Sequence, residues 1–239
     1  MLSLIFAVGA GVMQLLPSSF VAAGGSSTPV PPVVVPADGT YNYTYQSTMA
    51  KAQSNGKSSI SVQHSGGAVK IIENSSGTIM GTPATGVTTQ TLGPDLSPTG
   101  YTGIYTGGGR TLQSSVTFSG NVANATTPEG PRSFAMTPGA THFVILDGGM
   151  LGGFFILPAQ MSAWQRANVD LIAPIYGQSA PLTLDTSTTP PARPAAVPAN
   201  DVSISFSAPV AFTEWYDPVT LVMDEFDVPS QEITVTRVR

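Results

Sequence analysis

Short runs between residues 41 and 63 alternate polar and apolar positions with a period of two. Tyr41, Tyr43 and Tyr45 take turns with Asn42 and Thr44, the signature of a strand with one face buried. Asn55-Gly56 predicts a hairpin turn, residues 59–63 alternate after it, and Gly66-Gly67 predicts a second turn before a strand over 68–73. Such spacing predicts an antiparallel meander. Residues 77–109 break the pattern. Threonine and glycine replace large aliphatics there, so the segment reads as irregular strand at best. Tyr101 and Tyr105 are expected to pack back on the sheet, and Gly107-Gly108-Gly109 to form a flexible turn. Alternation resumes over 112–118, and 121–131 reads as a polar loop.

The densest apolar run, residues 141–146, predicts a buried strand. A break containing Gly148, Gly149, Gly152 and Gly153 follows, then a short helix predicted to start near Pro158, since proline suits a first helical turn. Leu157, Met161 and Trp164, spaced four then three, share one helical face. Residues 169–184 predict one or two strands, and the proline-rich 188–200 a surface loop. Alternation returns at 202–206, residues 212–216 continue into the turn Asp217-Pro218, and the chain ends in an alternating strand over 233–238. Eight to ten antiparallel strands with one helix predict a mainly β fold. The expected architecture is a curved antiparallel sheet or half-open barrel, with the helix as lid or plug.

The N-terminal segment reads differently. No Asp, Glu, Lys or Arg precedes Asp38. The apolar run over 2–16, with Val21 and Ala23 at small-residue spacing, predicts a signal peptide over 1–23, or alternatively a retained N-terminal anchor. Residues 24–39 form a Pro/Gly/Ser-rich linker, and 40–239 a single domain. Export to the periplasm or the extracellular space is the expectation. Membrane association is expected only transiently or through an uncleaved N-terminus.

Composition narrows the function classes. Charged residues make up 10% of the chain, and 52 of its 239 residues are serine or threonine, against a charged share of ~25% in ordinary soluble domains. A net charge of −5 argues against nucleic acid as a partner. The absence of cysteine rules out disulfides, thiolate zinc sites, thiol nucleophiles and a lipid-attachment cysteine.

Candidate chemistry is sparse. His64 lies in a polar turn. His142 and Asp147, five apart on a strand, face opposite ways about 17 Å apart, too far for a relay. Asp185-Thr186-Ser187 lacks the glycine of an aspartic-protease triplet and has no second copy. Six acids between Glu214 and Glu232 form a candidate face for a hard cation, with a solvated edge as the alternative. No catalytic residue, metal or cofactor is therefore expected. The strongest candidate for ligand binding is the apolar group Phe154, Phe155, Ile156, Leu157, Met161 and Trp164, behind its four glycines.

The segment Phe212-Thr213-Glu214-Trp215-Tyr216-Asp217-Pro218, continued through Asp227-Val228-Pro229-Ser230-Gln231, resembles the final hairpin of uncharacterised bacterial envelope proteins with a lipoprotein-carrier-like (LolA/LolB-type) half-barrel. The likeness covers about 30 residues near the end of the chain. It implies a curved antiparallel sheet around a helical lid, enclosing an apolar cavity. The function expected on these grounds is non-catalytic: binding or carrying an apolar small molecule or lipid. A structural or adhesive envelope protein with a plugged barrel is the alternative, and a hydrolase using Asp185 or His142 a third reading. Oligomeric state is not legible.

Overall fold

A computed structural model describes residues 33–47, 54–79, 81–187 and 191–239. The expected signal peptide over 1–23 lies outside the described residues, as does most of the expected linker. Strands β1 (Gly39–Ser47), β2 (Ser54–Ser65), β3 (Ala68–Ile79), β4 (Thr82–Leu92) and β5 (Pro98–Gly107) come first. β6 (Arg110–Ser119), β7 (Val122–Thr127), β8 (Gly130–Ala135) and β9 (His142–Ile145) lead to the helix α1 (Gly152–Ala163). Then come β10 (Val169–Ala173), β11 (Gln178–Leu184), β12 (Val202–Ala208), β13 (Phe212–Tyr216), β14 (Met223–Val228) and β15 (Ile233–Val238).

All fifteen strands belong to one sheet, in the order β8-β7-β6-β5-β4-β3-β2-β1-β15-β14-β13-β12-β11-β10-β9. β1 is the seam, pairing β2 on one side and the C-terminal β15 on the other. Every pair is antiparallel except β9 with β10, so the sheet is mixed. Its β9 end folds back over β5 to β7. There Phe143, Ile145 and Ile172 pack with Tyr101, Val116, Ala123 and Ala125 in a second, smaller core. The larger core surrounds α1. The sheet thus rolls into an open, barrel-like curl with the helix inside it.

The curved, mainly β sheet with one helix is present, with four departures from the sequence reading. Fifteen strands replace the eight to ten expected, because residues 77–109 and 121–131 are regular strands. Their inward positions carry Gly86, Thr88, Gln90, Gly103, Ala123 and Ala125, small or polar side chains that leave no hydrophobic alternation to read. Asn55-Gly56 lies within β2 rather than at a turn. One strand pair is parallel. Finally, α1 starts at Gly152, and Pro158 sits inside it. Eight consecutive residues, Phe154 to Met161, are buried; seven are apolar, and Gln160 donates to the Leu96 carbonyl, so most of the helix's circumference is core.

Candidate functional site

The start of α1 is set from a distance. Leu151 offers no capping side chain. Instead Oε2 of Glu73, on β3, accepts the backbone N–H of Leu151 at 2.8 Å and of Gly152 at 2.7 Å. These amides are orphan donors of the first turn, and a carboxylate there also meets the positive end of the helix dipole. Ser58 Oγ on β2 donates to Glu73 Oε1 at 2.6 Å. Glu73 is fully buried, and desolvation raises its carboxyl above the usual range even though its three donors oppose the shift.

Beside this cap lies a cavity of about 70 Å³. Its lining is mixed. Ser47, Ser54, Ser58, Glu73 and Ser75, from β1 to β3, contribute polar groups. Phe154, Phe226, Val228, Ile233 and Val235, from α1, β14 and β15, contribute apolar surface, joined by Tyr45 of β1 and Ile79 of β3. On a scale where one water needs about 10–15 Å³, this volume suits a short alkyl segment and not a whole lipid.

Of the six residues singled out in the sequence, Phe154 lines this cavity. It also packs edge-on to Phe212, with ring centres 5.5 Å apart, and tilted against Phe226 at 4.6 Å. Phe155 meets Tyr41 and Tyr43, while Ile156, Leu157 and Met161 are buried in the main core. Trp164 caps the end of the helix, donates from Nε1 to the Asp95 carbonyl at 2.7 Å, and stacks on His142. The glycines around the helix start are sites of close approach. A Cβ at Gly153 would collide with the Ile145 carbonyl, and one at Gly148 with the Tyr176 ring.

Two further acids, named in the sequence as a rejected relay partner and as part of the acidic run, turn out to be buried. Asp147, just after β9, accepts hydrogen bonds from the hydroxyls of Tyr101 (2.6 Å), Tyr105 and Ser114, and from the Ile175 amide. Burial raises its carboxyl while these donors restrain the shift. Glu214 on β13 is fully buried between its cross-strand neighbours Ile204 and Phe226. Neither of its oxygens has a hydrogen-bond partner among the described residues, and desolvation holds it well above the ordinary range.

The acidic run is therefore not a solvated edge: β13 to β15 lie within the sheet, and Glu214, Asp224 and Glu225 are buried. Asp224 pairs with Arg237 and Arg239. Asp217 accepts the amides of Val219 and Thr220 in its own turn. Among the described residues no group of three or more His, Cys, Asp or Glu is placed to hold a metal ion. Asp185 closes a local turn onto Ser187. His64 is bonded to Asp38, and His142 lies against Trp164 with its basicity lowered by burial. No described helix is long and apolar enough to cross a membrane.

No family model matches this chain. No curated protein matches it either. Among solved structures, it is similar to a beta-barrel-like protein of the domain of unknown function DUF1849 from Brucella abortus. The TM-score is 0.50 at 7% sequence identity, over 86% of this chain and 98% of that one. The likeness is one of fold, and it agrees with the barrel-like part of the sequence resemblance.

Proposed function

We propose that this is an exported, non-catalytic binding protein that holds one apolar chain of a small molecule or lipid inside its curled sheet. The observation that carries the reading is the cavity between the first turn of α1 and strands β14 and β15, walled by Phe154, Leu151, Phe226, Val228, Ile233 and Val235. Aromatic and aliphatic walls with a few grouped polar side chains are the usual make-up of a small-molecule site. Its size fits one chain end, so a larger lipid would leave its remainder outside. Export rests on the apolar segment ahead of Ala23, and a lipoprotein-carrier type of role rests on the resemblance of the 212–231 hairpin.

A structural role with a plugged interior is the second reading. It is favoured by the helix, eight consecutive residues of which are buried as core. Native mass spectrometry of the protein isolated from its source, followed by organic extraction, separates the two. A bound mass that reappears in the extract supports the binding reading. A ligand-free mass, unchanged after addition of single-chain amphiphiles, supports the plug.

A further inference from the structure

One part of the cavity wall is neither strand nor helix. We propose that residues 148–150 form a strap that gates the cavity, with the Met150 side chain as its latch and Gly86 as the notch that receives it. The inference rests on the apolar-chain reading above and adds the route by which the chain enters.

Three observations converge. First, the strap is fixed at its ends and loose between them. On one side Asp147 accepts from Tyr101, Tyr105, Ser114 and the Ile175 amide. On the other, Glu73 accepts the Leu151 and Gly152 amides. Between these two carboxyl groups the described backbone bond is local, from the Met150 N–H to the Asp147 carbonyl at 3.1 Å. Among the described residues no backbone bond ties 148–150 to the sheet, and segments so held are the ones that open at low cost. Second, the strap reaches both water and the cavity. Gly149, Met150 and Leu151 line the cavity, and Gly149 is the exposed one among the described lining residues. Its φ of +84° is a left-handed conformation that suits glycine.

Third, the strap meets β3 and β4 through the Met150 side chain, and a glycine makes room for it. Met150 is buried, and its Sδ accepts from Ser75 Oγ at 3.2 Å. It also lies against Gly86, where a Cβ would come within 2.5 Å of Sδ. The backbone at Gly86 has no positive φ, so the strand does not itself require glycine there. Glycine inside a strand weakens it and often marks a close approach. The approach here is that of Met150. A thioether is a weak acceptor on an unbranched, adaptable side chain, which makes the contact one that can be released.

The test needs no ligand. The chain has no cysteine, so a single introduced thiol reports on its own surroundings. Val235→Cys places one on the cavity wall and Val116→Cys one in the second core, both at positions 1% exposed. Each is labelled with a small methanethiosulfonate in the full-length protein, with and without Gly86→Ala, whose added Cβ evicts Met150 from the notch. The ratio of the Val235→Cys rate to the Val116→Cys rate should rise about tenfold or more on Gly86→Ala. Taking the ratio cancels any loosening of the whole fold. An unchanged ratio, whether both rates rise or neither does, overturns the gate and leaves the apolar-chain reading standing. Saturating 1-octanol should slow Val235→Cys labelling in both backgrounds. A ratio that rises without protection by 1-octanol overturns the apolar-chain reading and leaves the strap as the cavity's cover.

Discussion

Glu73 and Glu214 are both fully buried glutamates on the inner wall of one sheet, yet they sit in opposite circumstances. Glu73 gathers Ser58 and the two amides at the start of α1. Glu214, between Ile204 and Phe226, has no hydrogen-bond partner among the described residues. Burial raises both carboxyls, but only the second goes well above the ordinary range without any opposing influence. The comparison teaches that burial alone does not say what an acid does. Donors convert one into a joint between strand and helix, while the other sits without a described partner in an apolar wall, where desolvation favours its neutral form.

The largest effect that could break this contrast is removal of the joint. Glu73→Ala leaves the Leu151 and Gly152 amides and the Ser58 hydroxyl unpaired and opens space beside α1. It should cost about 3–5 kcal/mol in urea unfolding. A cost below about 1 kcal/mol would show that the helix start is held by packing alone.

The second effect concerns pH. A carboxyl raised in the folded state binds a proton that the unfolded chain has released, so stability falls as pH rises above the ordinary carboxylate value, and it goes on falling up to the raised one. For Glu214 the fall should be about 1.4 kcal/mol per pH unit. Glu214→Gln should remove that slope and become more stable than the wild type at pH 8, with little difference near pH 4. Parallel stability curves from pH 4 to 8 would refute the assignment.

Asp147 sharpens the same contrast, since it resembles Glu73 in being surrounded by donors. Asp147→Leu should destabilise by about 3 kcal/mol, because two tyrosine hydroxyls and an amide lose their acceptor. Glu214→Leu should be neutral or stabilising at pH 8. Chemical denaturation of the two variants checks the opposite signs. The smallest effect belongs to the surface. Asp185, whose side chain bonds only to Ser187 in its own turn among the described residues, should change stability by less than about 0.5 kcal/mol on conversion to alanine, measured the same way.

The contrast also marks what could be read from sequence. Strands whose inward positions are aliphatic or aromatic, such as β1, β12 and β15, showed their period directly. β4, β5 and β7 did not, because the curl packs large side chains against small partners. Met150 Sδ lies against Gly86, and the Tyr101 and Tyr105 rings against Gly103. The helix was legible, but its start was not, because the capping group lies 78 residues away on β3. Of the six apolar residues picked for the site, only Phe154 reaches the cavity. Periodicity marks which side chains leave water, and it does not distinguish those that touch one another from those that face a void. The polar groups of the cavity come from three strands, mostly through serines whose inward direction carried no hydrophobic signal.

The account stands most directly on an apolar chain lying between Phe154 and Val235. Titration of 1-octanol into the wild-type protein and into Val235→Phe, which fills that space, tests it. Saturable binding to the wild type that is lost in Val235→Phe, with the variant still folded by circular dichroism, is the predicted result. No binding to the wild type, or equal binding to both, would contradict it.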